Sequence, residues 1–102
     1  MGIISLLFGK KSAKPDFAEL ISQGAIIIDV RTAAEYKSGH IAKSKNISLQ
    51  ELPQKMNTLK KEIPIITCCA SGMRSASAAS LLKKAGFNVH NGGGWLSLKN
   101  KL

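Results

Sequence analysis

Two short apolar segments constrain the fold of this 102-residue chain more than any other feature. Residues 25–30 and 64–68 are almost unbroken apolar runs, each rich in isoleucine. Strands of a parallel sheet have this composition because helices cover both of their faces. Helix-forming segments alternate with these runs, and such alternation is typical of α/β folds. We therefore predict an α/β fold with an open, mostly parallel sheet of four to five strands and helices on both faces.

Local signals predict where the first elements begin and end. Pro15 suits the first position of a helix, and Thr32 followed by Glu35 forms a capping box at the start of the next helix. Residues 46–48 are expected to form a short strand. Pro53 favours a third helix that starts close to it, because proline is tolerated only in the first turn.

The second half of the chain continues the same alternation. Residues 75–85 are rich in alanine and leucine and are predicted to form a helix. Residues 87–90 are expected to form the last strand, and the glycine-rich residues 91–94 a turn. A terminal helical turn is expected over residues 95–98.

The length of the chain fits a single domain. We expect this domain over residues 15–102, preceded by an apolar arm and linker over residues 1–14. The apolar stretch 3–8 is far shorter than the ~18 residues of a membrane span, and no basic residue precedes it as in a signal peptide. We expect no membrane span and an arm that docks on the fold, with a weak membrane-surface contact as the alternative.

The chain is strongly basic, with fifteen Lys and Arg against six Asp and Glu and a formal charge of +9. The cations are mostly lysines scattered in pairs, with few aromatic residues between them, so no nucleic-acid partner is expected. A solvated lysine-rich surface still raises the local concentration of small anions near a cleft. No Asp or Glu follows Glu62, so no sequence neighbour of residues 63–102 repels an anion.

The two cysteines, Cys68 and Cys69, are adjacent. Neighbouring side chains on a strand point to opposite faces, so a structural disulfide between them is not expected. Free thiols fit a reducing compartment, which predicts a cytoplasmic protein. Two cysteines cannot complete a zinc site, and His40 and His90 lack ligand spacing, so no metal is expected.

The junction that follows the second apolar run carries the chemistry of the sequence. Cys69 stands at the carboxyl end of a predicted strand, where parallel sheets gather their functional groups. The backbone N–H groups of the loop and of the next helix form a concavity that favours a thiolate. Gly72 permits a tight turn, Arg74 adds a permanent cation, and Ser71 and Ser75 add hydroxyl groups. We interpret Cys69 as a thiolate nucleophile for an anionic substrate; the alternative is an inert apolar residue that ends a strand.

Three stretches of the sequence stand in a characteristic order and spacing. They are Asp29-Val30-Arg31 with Glu35-Tyr36 and Gly39-His40-Ile41, then IITCCASGMRS at 65–75, and GGGW at 92–95. From about Pro15 onward the chain resembles the rhodanese (thiosulfate sulfurtransferase) family, and its single-domain members in particular.

The resemblance implies an enzyme that transfers sulfane sulfur without a cofactor. The Cys69 thiolate would attack thiosulfate or another sulfane donor, release sulfite and retain a persulfide. The persulfide would pass its sulfur to cyanide, a thiol or a protein acceptor. The implied substrate-binding groups are the loop amides, with Arg74 holding an anionic donor: Ala70, Ser71, Gly72, Met73 and Arg74.

Further positions are expected to support the architecture around the loop. The residues implied are Asp29, Arg31 and His40. A carboxylate at the end of a buried strand must be paired, and His40 is expected to be a partly buried imidazole. Trp95 is expected to fill the core.

Two other interpretations remain open. Ala70 and Met73 are neutral where many thiosulfate-using members carry polar or charged groups, so the natural sulfur donor stays open. A rhodanese-like module that only binds partners or carries sulfur is one alternative, although such modules commonly lose the cysteine that this chain keeps. Counting from Cys68 to Arg74 gives Cys-x5-Arg, the spacing of cysteine phosphatases. In that reading Cys68 would be the nucleophile.

Overall fold

A four-stranded parallel sheet forms the middle layer of the computed structural model, which describes residues 15–102. The predicted apolar arm over residues 1–14 lies outside the described residues. The strand order is β2-β1-β3-β4. The strands are β1 (Ile26–Asp29), β2 (Lys45–Asn46), β3 (Ile65–Cys69) and β4 (Val89–Gly94). This architecture confirms the predicted α/β fold.

Five helices connect and flank the strands in the described part of the chain. They are α1 (Phe17–Ser22), α2 (Ala33–Lys37), α3 (Leu52–Lys55, continued by a 3-10 turn at Met56–Thr58), α4 (Met73–Lys84) and α5 (Trp95–Lys99). The longest of these, α4, has 12 residues. None of the helices within residues 15–102 has the length and apolar character that crossing a bilayer requires.

Alternate residues of the central strands enter two separate apolar clusters. Ile28 and Cys69 belong to one cluster, which includes residues of α3 and α4. Ile27 and Cys68 belong to the other, which includes residues of α1 and α5. The sheet is thus covered on both faces, and the two adjacent cysteines lie in opposite cores.

The first helix begins two residues later than predicted. The carboxylate of Asp16 accepts a hydrogen bond from the N–H of Glu19 at 3.1 Å, which makes Asp16 the N-cap and Phe17 the first helical residue. Pro15 therefore precedes the cap instead of opening the helix. The reason is chemical, since a carboxylate can accept an unpaired N–H of the first turn and proline cannot.

The predicted starts of the next two helices are confirmed. The Glu35 N–H donates to the Thr32 hydroxyl at 3.2 Å, and the Thr32 N–H donates to the Glu35 carboxylate at 2.9 Å, which completes the capping box of α2. Helix α3 begins at Leu52 with Pro53 in its first turn.

The glycine-rich segment that was predicted to turn is instead the end of β4. Asn91 pairs with Thr67 and Gly94 with Cys69, and the register shifts between these pairs. A β-carbon at Gly92 would lie 2.7 Å from the Thr67 carbonyl oxygen. These glycines therefore allow two backbones to approach closely and allow the extra residue of a bulge. Both are common reasons for glycine inside a strand.

Candidate active site

Cys69 ends β3 with its sulfur against the start of α4. Its Sγ accepts the N–H of Gly72 at 3.0 Å and the N–H of Ser75 at 3.3 Å. Ser75 lies in the first turn of α4, where backbone N–H groups have no partner within the helix. The sulfur thus takes the place of a side-chain cap, and α4 has no other side-chain cap at this end. The positive end of a helix stabilises negative charge on such an acceptor.

Two opposing effects act on the ionisation of this thiol. Burial raises the pKa of Cys69, which is 1% exposed. Hydrogen bonds from the Ser75 hydroxyl and from the backbone N–H groups of Ser75, Gly72 and Ser71 lower it. The lowering effects together outweigh burial, so the pKa of Cys69 lies below the usual value of a cysteine thiol. The loop therefore favours a thiolate.

The neighbouring thiol has the opposite environment. Cys68 is fully buried in the cluster that includes residues of α1 and α5. Burial raises its pKa to about 12, and the nearby Asp29 carboxylate adds to the rise. Cys68 is thus a neutral thiol at pH 7 whose side chain faces away from the loop. The phosphatase-like spacing from Cys68 to Arg74 does not bring a nucleophile to the loop.

Gly72 makes the turn between the sulfur and the helix. Its φ of +112° lies in the left-handed region, which strains residues that carry a β-carbon. A β-carbon there would also lie 3.7 Å from the Gly93 Cα, and one at Gly94 would lie 3.0 Å from the Ala70 carbonyl oxygen. The loop is therefore packed backbone to backbone against the glycine-rich end of β4.

A hydrogen-bonded chain links the site to β4. The Ser75 hydroxyl lies 3.5 Å from Cys69 Sγ, and donates to Gly72 O at 3.0 Å or to Asn91 Oδ1 at 2.7 Å. Asn91 Oδ1 also accepts the N–H of Gly93 at 3.0 Å. Sequence reasoning missed Asn91 because it assigned residues 91–94 to a turn. Its place after an apolar strand that ends at the same sheet edge was the available signal.

The guanidinium of Arg74 is held by a carboxylate from another element. Arg74 donates to both carboxylate oxygens of Glu35, with distances of 2.7 Å from Nη1 and 2.9 Å from Nη2. These bonds, followed by those from Thr32, lower the pKa of Glu35 to about 2. They also raise the pKa of Arg74. The sequence around the loop contains no acidic residue, but the fold supplies one from α2.

The remaining loop residues differ in exposure and contact. Of the amides predicted to line the loop, those of Gly72 and Ser71 act on the sulfur, and the structure adds Ser75. Met73 is 81% exposed at the start of α4. Ala70 is exposed and lies beside Gly94 through its carbonyl oxygen.

Asp29 and Arg31 form a buried ion pair at the end of β1. Arg31 Nη2 lies 2.7 Å from Asp29 Oδ2, and the two residues are 3% and 0% exposed. The same Nη2 donates to the Gly39 carbonyl at 2.7 Å, and the guanidinium lies 4.7 Å from the ring centroid of Trp95. Trp95 itself is partly buried against the α1 and α5 cluster. These contacts connect the end of β1 to Gly39, which follows α2, and to Trp95, the first residue of α5.

His40 does not have the partly buried position that was expected. It is exposed, and its ring stacks on Tyr36 with centroids 3.7 Å apart. Its Nδ1 lies 2.8 Å from the Tyr36 carbonyl oxygen. The prediction was wrong because the imidazole stacks on the side chain four residues earlier instead of packing in the core.

Comparison with known proteins matches residues 13–101 to the rhodanese-like domain. The chain is 39% identical over 72 residues to the uncharacterized protein YqhL of Bacillus subtilis (strain 168), covering 67% of this chain and 57% of that protein. It is 37% identical over 65 residues to the putative sulfurtransferase YtwF of the same organism, covering 64% and 63%. The matched region thus spans less than two thirds of both relatives. The thiosulfate sulfurtransferase GlpE of Pseudomonas fluorescens (strain SBW25) is 29% identical over 79 residues, covering 76% and 72%.

Solved structures share the architecture. A rhodanese-related protein from Thermoplasma volcanium superimposes with a TM-score of 0.74 at 32% identity, covering 84% of this chain and 85% of that chain. A rhodanese with anions from E. coli superimposes with a TM-score of 0.67 at 29% identity, covering 72% and 89%.

Proposed function

The chain belongs to the rhodanese-like domain family, and from that premise we propose that it is a sulfurtransferase that carries sulfur as a persulfide on Cys69. The proposal rests above all on one observation. The N–H groups of Gly72 and Ser75 both point at Cys69 Sγ, at 3.0 and 3.3 Å. Preorganised donors of this kind stabilise negative charge on a reacting atom without the cost of reorganising solvent.

The first half-reaction loads the enzyme. The Cys69 thiolate attacks the outer sulfur of thiosulfate, a sulfur–sulfur bond forms, and the bond to the sulfonate group breaks. Sulfite leaves with the electron pair of the broken bond, and Cys69 retains a persulfide anion. The loop amides from Ala70 to Arg74 are the groups available to hold the added sulfur.

The second half-reaction transfers the sulfur from Cys69 to an acceptor. An acceptor such as cyanide or a thiolate attacks the outer sulfur of the persulfide, and the Cys69 thiolate leaves. With cyanide the product is thiocyanate, and with a thiol or protein acceptor it is a new persulfide. The lowered pKa of Cys69 suits both steps, because a stable thiolate is at once the nucleophile and the leaving group.

Arg74 is the candidate for holding an anionic donor at the rim of the loop. Its two bonds to Glu35 use two of the five N–H groups of the guanidinium, and the others can bind sulfonate oxygens. The formal charge of +9 also favours the approach of anions. Relatives named thiosulfate sulfurtransferase support thiosulfate as the donor, and the neutral Ala70 and Met73 equally accommodate another persulfide donor.

The deciding experiment is the intact mass of the protein after incubation with thiosulfate. We expect a mass increase of one sulfur atom that cyanide removes with formation of thiocyanate. Cys69→Ser should lose the increase. Cys68→Ser is the matched control and should retain it, because Cys68 lies in the opposite core.

The same measurement separates the alternatives. An increase that persists in Cys69→Ser, or no increase with either thiosulfate or methanethiosulfonate, would contradict the proposal. If a persulfide forms on Cys69 but neither cyanide nor thiols remove its outer sulfur, the protein would be a sulfur carrier instead of a transferase.

A further inference from the structure

The hydroxyl group of Ser75 has three acceptors and a single proton. Its Oγ lies 2.7 Å from Asn91 Oδ1, 3.0 Å from the Gly72 carbonyl oxygen and 3.5 Å from Cys69 Sγ. A serine hydroxyl donates one hydrogen bond and accepts others through its lone pairs. The strength of the Ser75 hydrogen bond to the sulfur therefore depends on how far the other two acceptors attract the hydroxyl proton.

The orientation of the Asn91 amide follows from the backbone of β4. The N–H of Gly93 donates to Asn91 Oδ1 at 3.0 Å, and an N–H cannot donate to the NH₂ end of an amide. The oxygen therefore faces Ser75, and Ser75 must be the donor between them. The left-handed φ of Gly93, +80°, belongs to the bulge that turns this N–H toward Asn91.

We propose that Asn91 is a positioning residue that draws the Ser75 proton away from Cys69 and so limits how far the site stabilises the thiolate. Asn91 Oδ1 at 2.7 Å and Cys69 Sγ at 3.5 Å compete for the one proton of Ser75, so the shorter bond to Asn91 weakens the bond of the hydroxyl to the thiolate. The backbone N–H groups of Gly72 and Ser75 then carry the larger part of the stabilisation of the thiolate.

Limited stabilisation of the thiolate has a chemical use in sulfur transfer, a use that rests on the proposed function. The nucleophilicity of a thiolate falls as its pKa falls, so the most reactive thiol has a pKa close to the ambient pH. A site in which two N–H groups and a hydroxyl all donate to the sulfur would stabilise the thiolate at the expense of its attack on a donor.

Other groups near the sulfur would be unchanged by a substitution at Asn91. Arg74 of α4 acts on Cys69 by its charge and is paired with Glu35 of α2. Cys68 of β3 stays neutral at pH 7. The charge of Asp29 at the end of β1 is balanced by its pair with Arg31.

The test measures the rate at which iodoacetamide alkylates Cys69 of the full chain as a function of pH. All variants carry Cys68→Ser, so that one thiol reacts. We expect Asn91→Ala to raise the rate about tenfold at a pH below the midpoint and to move the midpoint to lower pH, because the charged sulfur then competes for the Ser75 proton with the neutral Gly72 carbonyl and no longer with Asn91. In the Ser75→Ala background, Asn91→Ala should change neither quantity.

Two further variants complete the design. Asn91→Asp keeps an oxygen that accepts the proton and adds negative charge, so its alkylation midpoint should lie at or above that of the parent. Asn88→Ala removes an exposed asparagine just before β4 and should match the parent. An equal effect of Asn91→Ala with and without the Ser75 hydroxyl, an unchanged midpoint, or a faster Asn91→Asp would overturn the proposal. Alkylation needs no sulfur donor, so these outcomes are independent of whether the protein transfers sulfur.

Discussion

Glu35 and Arg74 form a bidentate ion pair that connects α2 to the start of α4, with oxygen–nitrogen distances of 2.7 and 2.9 Å. The two residues are separated by 39 positions in the sequence. Glu35 also accepts the N–H of Thr32 in the capping box of its own helix. One carboxylate therefore caps α2 and orients the cation at the rim of the loop.

The ion pair predicts how stability depends on acid. A carboxylate whose pKa is lowered by folding contributes stability above its unfolded pKa of ~4.3, and this contribution is lost as the pH falls through the folded value. For Glu35 the folded value is about 2. The difference in unfolding free energy between the parent and Glu35→Gln should be constant above about pH 5 and should shrink toward zero near pH 2.

Urea unfolding at several pH values measures this difference. Glutamine keeps the side-chain length and can serve in a capping box, so the variant isolates the ion pair. Glu51→Gln is the control, because Glu51 faces Lys55 at 3.5 Å in an exposed pair and should show a smaller difference. A Glu35→Gln difference that is as large at pH 2 as at pH 7 would rule out the ion pair as its source.

Replacing Arg74 by alanine should separate donors by charge. Thiosulfate carries two negative charges and methanethiosulfonate carries one, while both offer an outer sulfur to Cys69. We expect the loss of kcat/KM in Arg74→Ala to be about tenfold greater with thiosulfate, since hydrogen bonds to charged groups contribute roughly 1.5–3 kcal/mol. Thiocyanate formation measures both rates. Arg74→Lys, which keeps the charge, should lie between the parent and alanine, and equal losses with both donors would refute the anion-holding role.

Breaking the buried pair of Asp29 and Arg31 should destabilise the fold. Arg31→Met leaves the Asp29 carboxylate, which is 0% exposed, without its partner. Removing one member of such a pair costs about 3–5 kcal/mol. Urea unfolding at pH 7 should show this loss, whereas Lys37→Met on the surface of α2 should change stability by less than about 0.5 kcal/mol. A loss below about 1 kcal/mol for Arg31→Met would mean that water or another group replaces the arginine.

Gly92 should not tolerate even the smallest side chain. A β-carbon there would lie 2.7 Å from the Thr67 carbonyl oxygen and 2.9 Å from Leu98 Cδ2. Overpacking of this kind costs about 1–3 kcal/mol. Thermal or urea unfolding of Gly92→Ala should show that loss, and Ser97→Ala on the exposed side of α5 should be close to neutral. An unchanged stability would show that β3 and β4 can move apart at no cost.

Much of the fold was predictable because its signals are local. Residues 25–30 and 64–68 were assigned to buried strands from composition, and the sheet has β1 and β3 there. The capping box at Thr32 and Glu35 was predicted from a spacing of three residues and is present. These features depend on residues that are close in the sequence, because strand propensity and helix capping act between such residues.

Two of the predictions were wrong for different reasons. Residues 91–94 were assigned to a turn because glycine is common in turns, yet the packing of β4 against β3 uses the same glycines for close approach. His40 was expected to be partly buried, yet it lies exposed on Tyr36. For residues 91–94 the packing of β4 on β3, which no local pattern encodes, decided the outcome, whereas the position of His40 follows from a stack on a side chain four residues earlier.

Residues 65–84 are enough to predict that a cysteine ends a buried strand and that Gly72 and a long helix follow it. These residues are contiguous, so N–H groups three and six residues after Cys69 reach its sulfur. The strand order β2-β1-β3-β4, in contrast, depends on how distant segments pack. Parallel pairing brings the carboxyl ends of β1, β3 and β4 to one edge, and for that reason Glu35 and Asn91 meet a loop from which both are distant in sequence.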